Sequence, residues 1–364
     1  IKEKKLRYKK SMILILALSF LFTACGKKDE TQNKADSTSD KSSTTESSNE
    51  EKKQSKDNLH KLTVCEDKDN FVINDYQGFE TKIPKDFKSS AVLSGTPLSI
   101  WYNLGGRPVI TAKISDNVKL EPQYEEEIKK IPDAGPVYSL NMEAIVEKKP
   151  DLVIAQAEMQ GDLAEKLRDM GFSVITTKIK TFDDVINTYE AFGTLLNNKQ
   201  KADQEIERLK RRREELIAKA PDKAKSVVIL YVTSNSIGVK LNKSIAGDIA
   251  TSLGIKNILE NSKADNIGSE NAYLDVEYIY ENQPDMILVT SMVSDNDEAK
   301  KIAENEFKTN PVWKGVKAIE EGNVVYLPQQ YFLYNAGPYY DKAIEYLARA
   351  VYPEIYGKLE DFDE

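Results

Sequence analysis

The chain has 364 residues, room for about two domains at roughly 150 residues each, and its 40% hydrophobic content gives each a core, which excludes a wholly disordered protein. Lys and Arg number 51 against 59 Asp and Glu, for a net charge of -8, so the basic excess that neutralises phosphates is missing and nucleic acid is excluded as a partner. Two cysteines and one histidine exclude a disulfide-stapled scaffold and a zinc site built on several histidines.

The first ten residues, IKEKKLRYKK, hold six basic side chains against one acidic one, and 11–24 (SMILILALSFLFTA) form an uncharged apolar stretch. A membrane span takes about 20 apolar residues, whereas a shorter run behind positive charge fits an exported leader. Residues 1–24 therefore read as a signal peptide. Thr23-Ala24-Cys25 resembles the junction of bacterial lipoproteins, where the cysteine is lipidated and becomes the first residue, although Phe22 stands where Leu is usual. The expectation is an extracytoplasmic protein held to the cell membrane by lipid on Cys25. Residues 26–58 contain one aliphatic residue, Ala35, and no aromatic. They bury no apolar surface, so 25–58 reads as a lipidated, disordered tether. His60 is expected at the tether boundary, exposed and idle, and Cys65, in the apolar run 62–65, half-buried.

From residue 59 onward, short apolar runs alternate with helical patterns, the mark of βαβ units and mainly parallel sheets. Buried strands are predicted at 91–93, 109–111, 152–155, 173–176, 227–232, 286–290 and 324–327. An internal repeat organises them. NMEAIVEKKPDLVIA (141–155) aligns with DVEYIYENQPDMILV (275–289) at a constant offset of 134, pairing Glu143 with Glu277, Pro150 with Pro284 and Asp151 with Asp285. Each copy reads as an amphipathic helix, a Pro-Asp stop and a buried strand. Between the copies lies KQKADQEIERLKRRREELIAK (199–219), with Ala202, Ile206, Leu209 and Leu216/Ile217 on one face at helical spacing and i,i+4 pairs Glu207–Arg211 and Arg211–Glu215 on its solvated side. Pro221 ends it. The predicted fold is α/β: two Rossmann-like lobes, 59–198 and 222–364, joined by a single long helix at 199–221.

In order, these pieces resemble a family, the extracytoplasmic substrate-binding proteins of ABC importers for ferric siderophores, haem and cobalamin. The resemblance covers about residues 73–353. It rests on the opening hairpin DYQGFETKIP (75–84), the two Glu-helix and Pro-Asp-strand units, NPVW (310–313), AIEEGNVVY (318–326) and the closing helix 341–351 followed by Tyr352-Pro-Glu354. It implies capture of an iron chelate or related metal compound, delivery to a permease dimer driven by a cytoplasmic ATPase, and a monomeric carrier. It also implies that one acidic residue on each lobe docks against the permease, here Glu143 and Glu277.

Open α/β sheets bind ligands beyond the carboxyl ends of their strands, and two facing lobes would form one cleft there. The side chains expected to line it are Thr96, Tyr138, Gln156, Met159, Lys178, Asn235, Tyr273, Met292, Gln329 and Tyr331. These loops are rich in amide, hydroxyl and aromatic groups. Lys178, Lys180 and Lys113 are their cations, which favours a neutral or hydrophobic ligand such as a hydroxamate complex, a corrinoid or haem over a highly anionic one. For haem, Tyr138, Met159, Tyr273 and Met292 are the axial candidates. An enzyme is disfavoured, because the chain holds no Gly-x-Ser-x-Gly, no His-Glu-x-x-His and no histidine beyond His60 at the tether boundary; no catalytic residue, resident cofactor or bare metal site is expected. A receptor for a naked metal ion would need three or four His, Asp or Glu ligands at the cleft. A sensor lipoprotein that has lost transport remains the alternative.

Overall fold

The computed structural model describes residues 61–266, 268–293, 296–334 and 336–362. The expected signal peptide, Cys25, the tether and His60 lie outside the described residues. The chain opens with an antiparallel ribbon, β1 (Thr63–Glu66), β2 (Asn70–Asn74) and β3 (Glu80–Pro84), paired in that order. Gly78 (φ 83°) makes the β2–β3 turn, where a residue with a Cβ would be strained. Asp75, fully buried, fastens the turn to the first lobe by accepting from Arg168 Nη2 at 2.6 Å and from the N–H and hydroxyl of Thr176. Cys65 is exposed rather than half-buried: β1 is an edge strand on which only Val64 is partly covered.

The first lobe follows as β4 (Ser90–Val92), α1 (Gly95–Asn103), β5 (Ile110–Lys113), α2 (Pro122–Ile128), β6 (Asp133–Pro136), α3 (Met142–Lys148), β7 (Leu152–Gln156), α4 (Ala157–Asp169), β8 (Val174–Thr177) and α5 (Phe182–Leu195). Its sheet runs β6-β5-β4-β7-β8, every pair parallel. The long helix α6 (Lys199–Ile217) leads to β9 (Ser226–Val232), β10 (Ile237–Lys240), α7 (Ile245–Ser252), β11 (Lys256–Asn257), β12 (Asn271–Tyr273), α8 (Val276–Asn282), β13 (Met286–Ser291), α9 (Asn296–Thr309), α10 (Lys317–Glu320), β14 (Val324–Tyr326), α11 (Gln329–Phe332), α12 (Tyr340–Val351) and α13 (Pro353–Tyr356). The second sheet runs β12-β10-β9-β13-β14, with β11 beside β9. It is mainly parallel, as expected, with one exception at β10, which turns back on β9 through 233–236 and pairs antiparallel with both β9 and β12.

Alternation along the strands explains the continuous apolar runs. Ala91 and Leu93, Val153 and Ala155 face one core cluster while Val92, Leu152 and Ile154 face another, and in β9 Val228, Leu230 and Val232 are separated from Val227 and Ile229 in the same way. Strands covered on both faces need apolar residues at every position. One of these clusters passes from the first sheet through Ala202, Ile206, Leu209 and Leu216 of α6 into Val227, Ile229 and Leu347 of the second lobe. Those four α6 residues are the face predicted from helical spacing.

The repeat is built twice in atomic detail. Asn141 caps α3 and Asp275 caps α8 with side-chain oxygens, and each helix ends on a left-handed non-glycine residue, Lys149 (φ 48°) and Gln283 (φ 42°). The Asp after each proline then clamps the neighbouring strand. Asp151 Oδ2 accepts from the N–H and hydroxyl of Ser89 at 2.8 and 2.9 Å, and Asp285 Oδ2 from those of Ser226 at 2.7 and 2.8 Å. Among the described residues no helix is long and apolar enough to cross a membrane.

Candidate ligand cleft

The carboxyl ends of the parallel strands open onto Ser94–Thr96, Tyr138, Gln156 and Thr177 in the first lobe, and onto 233–236, Tyr273, Met292 and Pro328 in the second. Contacts between the lobes join these two sets. Asn117, after β5, donates to Gln329 Oε1 at 2.8 Å; the Thr96 hydroxyl donates to the Tyr334 carbonyl; Lys180, after β8, reaches Glu270 at 3.4 Å. The two sheets therefore present their carboxyl ends to a common cleft, the geometry in which open α/β sheets hold ligands.

Four of the expected lining residues are large apolar side chains left in solvent: Tyr138 (75% exposed), Tyr273 (80%), Met159 (44%) and Met292 (50%). Two come from each lobe, and all sit at or just past strand ends. The Met292 sulfur accepts from the Tyr231 hydroxyl at 2.9 Å, which orients it and occupies a lone pair. Asn235 is exposed at the β9–β10 turn, its N–H donating to the Thr233 hydroxyl. Gln156, half-buried, donates its N–H to Gln160 Oε1 at 2.8 Å. Gln160 itself is 97% buried and donates to the carbonyls of Leu93 (2.8 Å) and Val137 (3.0 Å), tying together the ends of β4, β6 and β7 under the Tyr138 loop. Its backbone leaves the helical region (φ −121°, ψ 16°), and that kink in α4 is the signal sequence reading missed.

Two expected lining residues point elsewhere. Tyr331 is fully buried, its ring within 6.4 Å of Tyr346 and 6.1 Å of Phe362, so its side chain belongs to the core of the second lobe. Gln329 is buried too, donating to Ser291 Oγ at 3.0 Å and Val293 O at 2.6 Å while accepting from Asn117. Its amide is saturated by protein partners and braces the lobes. Thr96, half-buried, braces them through Tyr334.

The cleft's charges form one chain across the lobes. Lys178 contacts Glu158 at 2.9 Å; Lys180 lies 3.6 Å from the same carboxylate and 3.4 Å from Glu270; Lys240 contacts Glu270 at 2.7 Å. Lys240 stands over the Tyr231 ring at 4.0 Å. Burial alone would lower the Lys178 ammonium, but Glu158 and Tyr76 outweigh it and hold it above the ordinary lysine value. Burial wins at Lys240, which is lowered despite Glu270. Burial would raise Glu270, yet Lys180 and Lys240 bring it below the usual carboxylate value. Burial, with the Glu270 charge beyond it, pushes the Tyr231 hydroxyl up to about 12. Of the three cations read from sequence, Lys113 is exposed, and Lys178 and Lys180 are already paired. Lys240, at the end of β10, and Glu270, just ahead of β12, were missed because those short strands carry too few apolar residues to be recognised. Among the described residues no three His, Cys, Asp or Glu side chains gather as a metal site.

Glu143 and Glu277 are both exposed, one in the first turn of α3 and the other in the first turn of α8. Each helix leads into the amino end of a parallel strand, so its own amino end lies at the strands' carboxyl side, the side of the cleft.

The model of the periplasmic binding protein family matches residues 91–331. Among curated proteins, the chain is 28% identical over 270 residues to the Fe(3+)-citrate-binding protein YfmC of Bacillus subtilis, covering 71% of this chain and 78% of that one. It is 24% identical over 228 residues to the high-affinity heme uptake system protein IsdE of Staphylococcus aureus, covering 62% and 76%. Among solved structures, S. aureus IsdE complexed with heme superposes with a TM-score of 0.64 at 22% identity, covering 73% of this chain and 99% of that one. S. aureus SirA complexed with staphyloferrin B gives 0.64 at 19% identity, covering 77% and 98%. At these identities the structural likeness speaks for the fold, two α/β lobes on a helical connector, while the family match spans most of both lobes. The chain belongs to the periplasmic binding protein family.

Proposed function

We propose that this protein is the substrate-binding component of an ABC importer, capturing an iron chelate of the siderophore type outside the cytoplasm and delivering it to a membrane permease driven by an ATPase. The observation that carries the reading is the cleft between facing sheet ends, with Tyr138 and Met159 on one wall, Tyr273 and Met292 on the other, and a lysine–glutamate chain crossing between them. Exposed rings and thioethers cover the organic shell of a chelate, and polar Gln156 and Asn235 orient it. The relatives that bind ferric citrate, heme and siderophores support the class of cargo. The same rings and thioethers favour a second reading, haem, with Tyr138 or Tyr273 as iron ligand.

The experiment is a titration of the purified protein with ferric citrate, a ferric trihydroxamate and haemin, followed by visible absorption and tyrosine fluorescence. A broad charge-transfer band with saturable quenching supports the chelate, and a Soret shift that Tyr138→Phe or Tyr273→Phe removes supports haem. Saturation by none of the three overturns both. For delivery, Glu143 and Glu277 are the proposed docking pair. Charge reversal at both is expected to abolish uptake while ligand affinity and melting temperature stay put, because exposed rim charges act on association. Normal uptake by that variant would remove the docking role.

A further inference from the structure

At the β8 edge of the first lobe lies a cavity of about 310 Å3 whose lining includes Lys61, Lys178, Lys180 and Lys243 but one carboxylate, Asp184. That carboxylate is committed to the backbone, Oδ2 accepting from the N–H groups of Lys180 (3.0 Å) and Thr181 (2.9 Å) at the start of α5. The side chains of Lys178 and Lys180 are 13% and 16% exposed; both draw on the Glu158 carboxylate, and Lys180 also lies 3.4 Å from Glu270. Lys61 and Lys243 are exposed at the rim and make no ion pair among the described residues. Thr177, Thr181, Asn187, Thr188, Tyr76 and Leu62 complete the lining, and Tyr138, Met159, Tyr273 and Met292 are absent from it.

We propose that this cavity, which shares Lys178 and Lys180 with the charged chain of the cleft but none of its exposed rings and thioethers, is a second binding site for a small multivalent oxyanion, a phosphate or a compact polycarboxylate. Lys61 and Lys243 bring to it positive charge that no ion pair among the described residues offsets, and a divalent or trivalent anion neutralises that charge while accepting short charge-assisted hydrogen bonds. Lysine supplies the point charge that such oxyanions take. Three of the four lysines belong to the first lobe, whereas Lys243 enters from the second, just ahead of α7. An anion held by all four fastens the lobes at this edge and shifts the population towards the arrangement in which Lys243 reaches it.

The test is calorimetric titration of the protein with inorganic phosphate and, separately, with iron-free citrate, at constant ionic strength. Saturable binding that weakens on adding salt is expected, phosphate alone marking a phosphate site and citrate alone a carboxylate site. The double variant Lys61→Ala, Lys243→Ala should bind the anion about tenfold or more weakly, with its unliganded melting temperature and its response to haemin or ferric trihydroxamate unchanged. Absence of binding by both anions, wild-type affinity in the double variant, or one-for-one competition between the anion and the iron compound would each overturn the proposal. Because the anion is followed without iron, the outcome is independent of whether the chelate reading holds.

Discussion

Removing Glu270 is expected to be among the most damaging single changes in the second lobe, although it is a charged residue. Its Oε1 stands 2.7 Å from Lys240 Nζ and 3.4 Å from Lys180 Nζ, with both Glu270 and Lys240 more than nine-tenths buried. At an effective dielectric constant of about 20, the closer contact is worth about 6 kcal/mol of gross attraction. Desolvation of the two ions, several kcal/mol each, cancels most of it. The net stabilisation is therefore small, while the penalty for breaking the pair is large. In Glu270→Leu, Lys240 stays buried with no carboxylate, at a cost of about 3–5 kcal/mol. In Lys240→Met, Glu270 keeps Lys180, so the loss is smaller, about 1–3 kcal/mol. The double variant Lys240→Met, Glu270→Leu replaces the pair with apolar groups of similar size and should return to within about 1 kcal/mol of wild type. Thermal and denaturant unfolding of the four proteins at pH 7 measure the cycle. A double variant destabilised by the sum of the singles would refute the argument, because the charges would then not be compensating each other. The sign with pH follows from the lowered carboxyl: Glu270 stabilises above its unfolded value near about 4.3, and that stability is lost as pH falls through the lower folded value.

Asp248 has the opposite sign, since burial raises its carboxyl despite bonds from Tyr340 OH at 2.7 Å and Phe182 N–H at 3.0 Å; stability should decline as pH rises from below its unfolded value through its folded one, and Asp248→Asn should remove that slope in a melting series. Asp285→Ala frees the Ser226 N–H and hydroxyl, so a loss of about 1–3 kcal/mol is expected, and Asp151→Ala should lose a similar amount in the first lobe; no change in either melt would contradict the clamp. The lipid proposed for Cys25 from the sequence predicts that Cys25→Ser shifts the protein from the detergent to the aqueous phase, and unchanged partitioning would remove that proposal. Small-angle scattering with and without haemin or ferric citrate should find only a small change in radius of gyration, and a large closure would contradict the rigid connector argued below.

Much of the fold could be read in advance because strands covered on both faces must be apolar at successive positions, as β7 and β9 are. The repeat was legible for a related reason: a capped helix, a Pro-Asp pair and a buried strand need the same residue types wherever they occur, and Asp151 and Asp285 make the same clamp. The short strands β10 (IGVK) and β12 (NAY) were not legible, since their pairing follows from the turn at 233–236 and their polar residues meet only after folding. Lys240 and Glu270, 30 residues apart, are neighbours only in that sheet. Met159 and Met292 could be placed at the sheet ends from the predicted strands 152–155 and 286–290, whereas Tyr138 and Tyr273 follow β6 (DAGP) and β12 (NAY), which no apolar run marks. The directions of Gln329 and Tyr331 could not, because an amide or a phenol in a loop serves a core or a cleft equally well, and only the positions of Ser291, Val293, Tyr346 and Phe362 decide.

The connector does more than separate the lobes. Its apolar face joins one core cluster running from Ile154 and Ile175 of the first sheet to Val227 and Ile229 of the second. Its charged face is fastened to the second lobe, with Arg208 donating to Asp341 (3.1 Å) and the Pro338 carbonyl (2.6 Å), Arg212 to Glu345 (2.9 Å) and Arg213 to Ser252 (2.9 Å). At its amino end it lies tight against α5, where a Cβ on Gly193 would come within 2.5 Å of that of Ala202. Hinge closure needs a few residues that absorb large φ/ψ changes, and a helix packed in this way has none to offer without exposing core. Recognition is therefore left to side chains on the facing loops. The exposed pairs Tyr138 with Met159 and Tyr273 with Met292 can change rotamer without moving a sheet, and the ion-paired chain from Lys178 to Lys240 crosses between the lobes. A nearly preformed cleft loses little order on binding, and it presents Glu143 and Glu277 at nearly fixed separation whether empty or full. A permease that reads the loaded state must then sense the ligand or the loops around it.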